Sequence, residues 1–367
     1  MATNNSQDSF KDNTPEKPLT SRTKSSVVAQ FKSRRKSEFD VDALCDSLLA
    51  GNITALSKAI TLIESTKAEH RPLAHQVLQK CLPYSNKSVR IGITGVPGVG
   101  KSSFIEALGC LMASKTNKVA VLAVDPSSSI SMGSVLGDKT RMQELSKHPD
   151  VYIRPSAAGS TLGGVARKTR ETILLCEAFG FQTIIIETVG VGQSETVVHS
   201  MVDFFLVLKL SGAGDELQGI KRGIIELADS IVINKADGDN LQRAKIAKAD
   251  FSRALKLYPP KEMGWRPKVL LTSAIENKGI VEVRDLIDYY IKSSKENSNF
   301  EQKRQQQNKF WLFQSIDEHL KDSFYQRPEI QAELQAQLKA VEDHKITPFA
   351  AAQYLISLLL RDTKPLK

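Results

Sequence analysis

The chain has 367 residues, of which 50 are Lys or Arg and 41 are Asp or Glu, so its formal charge is +9. A hydrophobic fraction of 41% and a charged fraction of 25% are typical of globular proteins and exclude a wholly disordered or collagen-like chain. No apolar run reaches the roughly 18–20 residues of a transmembrane helix, since the longest, Phe349 to Leu360, contains Gln353 and Ser357. We therefore predict no membrane contact.

Residues 1–38 are predicted to form a disordered basic tail. They are rich in Ser, Thr, Asn, Lys and Pro, and they have too few large apolar side chains to offset the entropy of ordering. Between Lys17 and Lys36 there are seven basic residues and no acidic one. Part of the excess charge therefore lies in this tail. Because no basic stripe interleaved with aromatic residues follows it, we predict no nucleic-acid partner.

The cysteine pattern and the N-terminus predict a cytoplasmic protein. Four cysteines are widely separated and form no CxxC motif: Cys45, Cys81, Cys110 and Cys176. Such spacing favours reduced, mostly buried thiols over a disulfide framework. The N-terminus has no apolar core and carries Asp8, Asp12 and Glu16, which argues against a secretory signal or a transit peptide.

Residues 39–87 are predicted to form an N-terminal helical segment. From about Asp40, apolar residues such as Leu44 and Leu48 recur at helical spacing. A second helix is predicted over residues 71–81, and Pro83 is expected to end it.

Residues 88–293 alternate between short β-branched runs and longer amphipathic runs. The predicted strands are Arg90–Thr94, Val119–Asp125, Val151–Arg154, Thr183–Glu187, Phe204–Leu210, Ser230–Asn234 and Val269–Thr272. The predicted helices include Lys101–Ala113, Val165–Phe179, Glu216–Ala228, Leu241–Leu257 and Ile280–Ile291. This alternation predicts an α/β fold with a doubly wound, mainly parallel sheet.

Residues 294–367 are predicted to form a C-terminal helical arm. We expect a polar, Gln-rich connection around residues 302–308, followed by a helix with an apolar stripe and then a second helix through Ile330. The stripe consists of Phe310, Phe313, Ile316, Leu320 and Phe324. Thr347 and Pro348 resemble an N-cap and a first-turn proline of a last apolar helix. The apolar surface predicts either packing on the main domain or a homodimer contact.

One motif predicts a phosphate-binding loop. The motif G-x-x-x-x-G-K-[ST] is matched by Gly95, Val96, Pro97, Gly98, Val99, Gly100, Lys101 and Ser102, and Ser103 follows. A strand is predicted before it and a helix after it. Backbone N–H groups of such a loop point at the phosphates, and the lysine reaches the β- and γ-phosphates while the hydroxyl ligates Mg²⁺.

A second motif predicts a guanine-binding loop. Asn234, Lys235 and Asp237 lie in an NKxD sequence at the end of a predicted strand. A carboxylate at Asp237 can accept both the N1–H and the 2-amino group of guanine, an arrangement that adenine does not offer. Ser273 and Ala274, after the next strand, suit a backbone contact to guanine O6. We therefore predict GTP and GDP as the nucleotides, with Asn234 tying this loop to the phosphate-binding loop.

Carboxylates at other strand ends are candidate groups around Mg²⁺ and the attacking water. Glu187 begins the sequence Glu-Thr-Val-Gly, in which Gly190 can contact the γ-phosphate. Asp125 follows the second predicted strand, and Asp138 lies in a Gly- and Ser-rich loop. Each of these two aspartates could instead be a helix N-cap.

These motifs together resemble the MeaB/MMAA/ArgK family of P-loop GTPases. The resemblance covers roughly residues 40–365 and is most specific at ETVGVGQSE (187–195) and GAGDELQGIK (212–221). It implies a GTPase chaperone of an adenosylcobalamin-dependent acyl-CoA mutase, chiefly methylmalonyl-CoA mutase. It also implies GTP-dependent cofactor loading and reactivation of the mutase, a homodimer formed by the C-terminal arm, and a partner-sensing loop at 212–221. Lys101, Asp125, Asp138 and Glu187 are then the catalytic and metal-site residues, with Ser102 as a further metal ligand.

Three alternatives remain. A non-hydrolysing nucleotide-bound scaffold is one of them, because the sequence does not identify the residue that positions the attacking water. A P-loop kinase or ATPase linked to amino-acid transport would use ATP, which the NKxD motif disfavours. A metallochaperone-type GTPase would be expected to carry a His-rich tract or paired cysteines, and the sequence has neither.

Overall fold

A computed structural model of the chain describes residues 40–124, 142–155, 162–188, 194–211 and 222–361. The chain divides between Ala43 and Leu44 into two units, and of the first only residues 40–43 are described. The predicted tail at 1–38 therefore lies outside the described residues. In the first unit, the Asp40 side chain accepts a 3.0 Å hydrogen bond from the Ala43 N–H.

A seven-stranded parallel sheet is the centre of the second unit. The strands are β1 (Val89–Gly95), β2 (Val119–Val124), β3 (Val151–Arg154), β4 (Thr183–Thr188), β5 (Phe204–Lys209), β6 (Ser230–Ile233) and β7 (Lys268–Leu271). Their spatial order is β3-β2-β4-β1-β5-β6-β7, with every neighbouring pair parallel. Strands β5 and β6 are buried along their whole length, as expected where helices cover both faces of a sheet. The predicted fold class is confirmed.

Helices connect the strands and extend the domain at both ends. They are α1 (Val41–Leu49), α2 (Ile53–Glu64), α3 (His70–Cys81), α4 (Lys101–Met112), α5 (Gln143–Lys147), α6 (Leu162–Phe179), α7 (Ser194–His199), α8 (Arg222–Leu227), α9 (Leu241–Lys256), α10 (Ile280–Glu296), α11 (Asn299–Tyr325), α12 (Pro328–Glu342) and α13 (Pro348–Arg361). Each predicted strand is found, β3 with the predicted bounds and the others with one or both ends shifted by one residue. The helix predicted over Glu216–Ala228 starts outside the described residues, and its described part is α8.

Local sequence signals account for several helix ends. Asn52 caps α2, because its side chain accepts hydrogen bonds from the N–H groups of Thr54 and Ala55 at 2.9 and 3.2 Å. Pro83 lies in a short 3₁₀ turn directly after α3, as predicted. Thr347 caps α13 through a 3.2 Å hydrogen bond from the Ala350 N–H to its hydroxyl, which confirms the predicted cap.

The predicted Gln-rich connection around residues 302–308 is wrong. These residues lie within α11, a continuous helix of 27 residues. Gln, Lys and Arg have high helix propensity, so a polar run of them does not interrupt a helix. Gln307 is also buried, and its side-chain amide donates a 2.8 Å hydrogen bond to the Val202 carbonyl. A polar side chain is therefore part of the contact between the helix and the sheet.

A buried arginine attaches α11 to the amino-terminal edge of the sheet. The guanidinium of Arg304 donates hydrogen bonds to both carboxylate oxygens of Asp203, at 2.9 and 2.7 Å. It also donates to the carbonyls of Asn86 and Ser88. Both charged side chains are almost fully buried. Burial opposes ionisation of Asp203, but the arginine outweighs it and lowers the pKa of this carboxyl.

Farther along α11 the apolar stripe is exposed. Phe310, Phe313, Ile316 and Leu320 have between 43 and 61% of their surface accessible. Packing of this stripe on the main domain, one of the two predicted outcomes, is therefore not observed for these four side chains.

The four cysteines are free thiols, and three of them, Cys45, Cys81 and Cys176, are buried. Burial raises the pKa of Cys81 to about 12. The prediction of reduced, mostly buried thiols agrees with this arrangement. Within the described part of the chain, no helix is long and apolar enough to span a membrane.

Candidate functional site

The predicted phosphate-binding loop connects β1 to α4. Gly100 has a left-handed backbone with φ of 88°, and a Cβ atom there would lie 2.8 Å from the Asn234 side-chain nitrogen. At Gly95, a Cβ atom would lie 2.7 Å from the Leu208 carbonyl of the neighbouring strand. Gly100 is therefore required for its left-handed backbone, and both positions require glycine because neighbouring atoms leave no room for a Cβ.

Lys101 lies across the mouth of this loop. Its ammonium group donates hydrogen bonds to the carbonyls of Gly95 and Val96, at 2.8 and 3.4 Å. The first N–H that bonds within the helix belongs to Phe104, which donates to the Gly100 carbonyl. The N–H groups of residues 101–103 therefore precede the helical ladder, and such groups bind anions at helix N-termini.

Asn234 joins the predicted guanine-binding loop to the phosphate-binding loop. Its side-chain nitrogen donates a 2.9 Å hydrogen bond to the Val99 carbonyl, the tie that the sequence predicts. The Thr272 hydroxyl donates to the other end of the amide, Asn234 Oδ1, at 3.1 Å. Asn234 and Thr272 are both buried, so water does not compete for these hydrogen bonds.

The backbone of Lys235 is held in a left-handed conformation, with φ of 58°. The Asn240 side chain donates a 2.6 Å hydrogen bond to the Lys235 carbonyl, and the Ser211 hydroxyl donates to Asn240. The Lys235 stem passes within 3.7 Å of the position of a Cβ on Gly100. Non-glycine residues with a left-handed backbone are uncommon. They usually occur where the surrounding contacts hold the backbone in that conformation.

Asp237 lies beside the loop that follows β7. The Ser273 hydroxyl donates a short hydrogen bond to its carboxylate. The Ala236 N–H donates to the Thr272 carbonyl at 2.9 Å, which brings the two loops together. Ser273 and Ala274 are thus adjacent to the carboxylate that the sequence assigns to guanine.

Glu187 lies at the carboxyl end of β4, between β1 and β2. It pairs with Ile93 on one side and Ala123 on the other. The next residue, Thr188, donates a 2.7 Å hydrogen bond to the buried Thr94 hydroxyl of β1. Glu187 is therefore the penultimate residue of a strand adjacent to the one that leads into the phosphate-binding loop.

Ser102 and Glu187 supply the hydroxyl and carboxylate oxygens that suit Mg²⁺. Within the described segments no group of three or more His, Cys, Asp or Glu residues is arranged to hold a metal ion. Nucleotide-dependent Mg²⁺ sites commonly use one or two protein oxygens together with phosphates and water, so the donor set fits. Asp125, Asp138 and Gly190 lie outside the described residues, as does the predicted switch at 212–221.

Several groups that hold the site together are not predicted from the sequence. Thr272 fixes the Asn234 amide, Asn240 and Ser211 support Lys235, and Thr94 bonds to Thr188. Their signal in the sequence is weak, because a single polar residue beside a strand end is ordinary. For Thr272, the one indication in the sequence is its position directly before Ser273 and Ala274, the predicted guanine contact.

A comparison with family models identifies the chain. Residues 56–329 match the model described as Methylmalonyl Co-A mutase-associated GTPase MeaB. The chain belongs to the MeaB family of GTPases. The match begins within α2 and includes α3, the whole sheet and the whole of α11, so the predicted resemblance is confirmed.

Individual relatives agree with this assignment. A probable GTPase of Mycobacterium tuberculosis is 47% identical over 321 residues, covering 87% of this chain and 95% of the relative. The Mus musculus protein named Methylmalonic aciduria type A homolog, mitochondrial, is 43% identical over 86% of this chain and 79% of the relative. The crystal structure of LAO/AO transport system kinase superposes with a TM-score of 0.70 at 35% identity, covering 88% of this chain and 99% of that one. The chain is accordingly a P-loop GTPase.

Proposed function

We propose that this GTPase is a chaperone of an adenosylcobalamin-dependent acyl-CoA mutase, methylmalonyl-CoA mutase being the first candidate. The match to the mutase-associated family model over residues 56–329 is the observation that carries the proposal. The mouse relative named for methylmalonic aciduria supports it. In this role, GTP hydrolysis in the cytoplasm is coupled to cofactor loading and to protection or reactivation of the mutase.

The nucleotide is proposed to lie across the carboxyl edge of the sheet. Gly95, Gly98, Gly100 and the N–H groups of residues 101–103 surround the phosphates, and Lys101 neutralises part of their charge. Asp237 accepts hydrogen bonds from guanine, while Lys235 lies over the base and the Ser273–Ala274 backbone contacts O6. The 2.9 Å hydrogen bond between Asn234 and Val99 supports this division of roles, because it fixes the distance between the two loops.

Mg²⁺ is proposed to be held by Ser102 and Glu187, with Asp125 and Asp138 as further candidates. The ion neutralises charge on the β- and γ-phosphates when it is bound. Asp125, Asp138 and Glu187 are also the proposed groups for orienting the attacking water, with Gly190 beside the γ-phosphate. Lys101 and the N–H groups that precede the helical ladder at the start of α4 stabilise the charge that develops on the transferred phosphoryl group.

A homodimer is proposed through the C-terminal arm. Phe310, Phe313, Ile316 and Leu320 present an exposed apolar stripe on α11, and a second copy of the chain is a partner that would bury it. Light scattering of the wild type and a Phe313→Lys, Leu320→Lys double variant tests this. A dimeric wild type and a monomeric variant are expected, and a monomeric wild type contradicts the proposal.

A kinase or ATPase linked to amino-acid transport is the second candidate, because the crystal structure that superposes well is named for a transport system kinase. The two candidates differ in nucleotide. Asp237 supports guanine, whereas the kinase requires ATP and a phosphorylated protein product.

The decisive experiment measures GTP and ATP hydrolysis with and without a purified cobalamin-dependent mutase. We expect GTP hydrolysis that the mutase accelerates, negligible ATP hydrolysis, and no acceleration with Lys101→Ala. The exposed Lys147→Ala variant is the matched control and should behave as wild type. If no cobalamin-dependent mutase changes the rate of GTP hydrolysis, the chaperone role is excluded and the GTPase assignment stands.

A further inference from the structure

A second cavity lies at the opposite edge of the sheet from the nucleotide site. It has a volume of about 380 Å³ and lies where α3 and α6 approach α11. Arg90, at the start of β1, and Asn86, before it, form part of the wall. The phosphate-binding loop follows the other end of β1, so the two sites are separated by the length of that strand.

Three arginines lie at or beside the cavity, and two of them are paired with buried carboxylates. Arg90 donates hydrogen bonds to both oxygens of Glu177, at 2.9 and 3.0 Å, and Arg304 is paired in the same way with Asp203. A third arginine, Arg170, lines the cavity and donates a 2.7 Å hydrogen bond to the Asn308 side chain. In the part of the chain that the structure describes, no carboxylate forms an ion pair with Arg170.

One further acidic residue lines the cavity without balancing Arg170. The carboxylate of Glu171 lies 4.0 Å from Arg167 on the same helix. Burial is the largest influence on Glu171 and raises the pKa of this carboxyl, so the site disfavours its negative charge. The four side chains Arg90, Arg170, Glu171 and Glu177 sum to no net formal charge, but Arg170, unlike Arg90, has no ion-pair partner among the described residues.

One donor of the cluster has no hydrogen-bond partner, and the positive charge of Arg170 is poorly stabilised. The Nη1 atom of Arg90 is buried and has no hydrogen-bond partner among the described residues. Burial, followed by repulsion from Arg90, lowers the pKa of Arg170 to about 9. Buried polar groups are seldom left without partners, and burying a guanidinium without an anion is costly. Each observation indicates that a negatively charged group would be stabilised here.

We propose that this cavity binds a small organic anion. Its carboxylate or phosphate group lies between Arg90 and Arg170, and its short apolar body lies against Leu78, Leu82 and Leu174. Guanidinium groups suit both kinds of oxyanion, because they present paired N–H donors. The volume is in the range of pockets for small metabolites and is larger than a bare inorganic ion needs.

Such a ligand would connect three parts of the protein. Leu78 belongs to α3, Arg170 and Leu174 to α6, and Asn308 to α11. The anion would therefore stabilise the junction at which both helical extensions meet the nucleotide-binding domain. This site is independent of the mutase and of guanine recognition.

Calorimetric titration of the full-length protein tests the proposal. The probes are butyrate, glycerol 3-phosphate and inorganic phosphate, and the Lys101→Ala background removes competing phosphate binding at the nucleotide site. We expect one saturable site for an organic probe, with butyrate distinguishing a carboxylate ligand from a phosphate ester. Inorganic phosphate alone should bind at least tenfold more weakly than the better organic probe.

Variants assign the binding to this cavity. Arg170→Gln should weaken binding at least tenfold, whereas Arg253→Gln, an exposed arginine on α9, should leave it unchanged. Leu174→Phe fills the cavity without altering charge and should abolish binding, so the test stands if Arg170→Gln does not fold. No saturable binding of any probe by the parent protein, or binding that survives Leu174→Phe, overturns the proposal.

Discussion

Asn234 and Val99 connect the two halves of the proposed nucleotide site through a buried hydrogen bond of 2.9 Å. Asn234 follows β6 and Val99 lies in the phosphate-binding loop. The glycine next to Val99 has no room for a side chain, because a Cβ on Gly100 would lie 2.8 Å from the same amide nitrogen. The amide and the glycine therefore form one packed unit, and a change at either should affect both base and phosphate binding.

We expect Asn234→Ala to weaken binding of GTP and GDP at least tenfold and to lower the free energy of unfolding by about 1–3 kcal/mol. The buried Val99 carbonyl would lose this donor, and a buried acceptor left without a hydrogen bond usually costs about 1–3 kcal/mol. Titration with a fluorescent GDP analogue measures the affinity, and urea denaturation measures the free energy of unfolding. Asn297→Ala, at an exposed helix end, is the control, and wild-type affinity in Asn234→Ala would contradict the role of the hydrogen bond.

Lys101→Ala should abolish detectable GTP binding while leaving the fold intact. The ammonium group lies over the carbonyls of its own loop, at the position where phosphate charge is proposed to bind. Lys147→Ala provides a matched control on the short helix α5. Equilibrium dialysis that finds GTP affinity within a few-fold of wild type would refute the phosphate-binding assignment.

Asp237→Asn should shift the nucleotide preference from guanine toward xanthine. The substituted amide can donate to a xanthine carbonyl but cannot accept both guanine N–H groups. Competition between GDP and xanthosine diphosphate measures the shift. Ser273→Ala removes the hydroxyl that bonds to Asp237 and should weaken GDP binding without changing the preference. An unchanged guanine preference in Asp237→Asn would exclude this residue as the base-reading group.

Arg304→Gln should destabilise the protein by about 3–5 kcal/mol, the typical cost of removing one partner of a buried ion pair. Asp203 would remain buried without the bidentate arginine that now bonds to it. Urea denaturation measures the loss. Arg284→Gln breaks an exposed pair with Asp285 and should have no measurable effect. Equal stability of the two variants would show that the buried pair is not the main attachment of α11.

We expect the protein to lose stability in mild acid because His199 is protonated more readily in the unfolded chain. Burial is the main reason that the pKa of His199 is lowered to about 4 from an ordinary value near 6.5. Between these two values the unfolded chain binds the proton and the folded chain does not, so stability falls as pH falls through this window. The expected loss is about 3 kcal/mol. His199→Gln should flatten the pH dependence, whereas exposed His319→Gln should not, and identical profiles for wild type and His199→Gln would contradict this explanation.

The strands and the phosphate-binding loop were predictable because their signals are local. A buried parallel strand such as β4 is a continuous β-branched run, and the glycines of the loop are required by backbone geometry at their own positions. The link from Asn234 to the loop was also anticipated, because it accompanies the NKxD motif. In each case the residues that carry the signal are neighbours in the sequence.

The groups that support the site could not be predicted in this way. Thr272 and Asn240 act through partners that only the folded chain brings together. The polarity of the Gln-rich segment of α11 predicts a loop, whereas in the structure Arg304 and Gln307 are buried and bonded to residues at the sheet edge. Buried polar contacts depend on tertiary structure, which a hydrophobicity pattern does not encode.

The continuity of α11 has a mechanical consequence. The helix is anchored to the sheet near Arg304, and about 30 Å of regular helix separates this anchor from Tyr325, at 1.5 Å per residue. A tilt of about 5° at the anchor would therefore move the far end by nearly 3 Å while the helix itself stays unchanged. Small adjustments at the sheet edge would be amplified into displacements large enough to break or remake side-chain contacts at the tip.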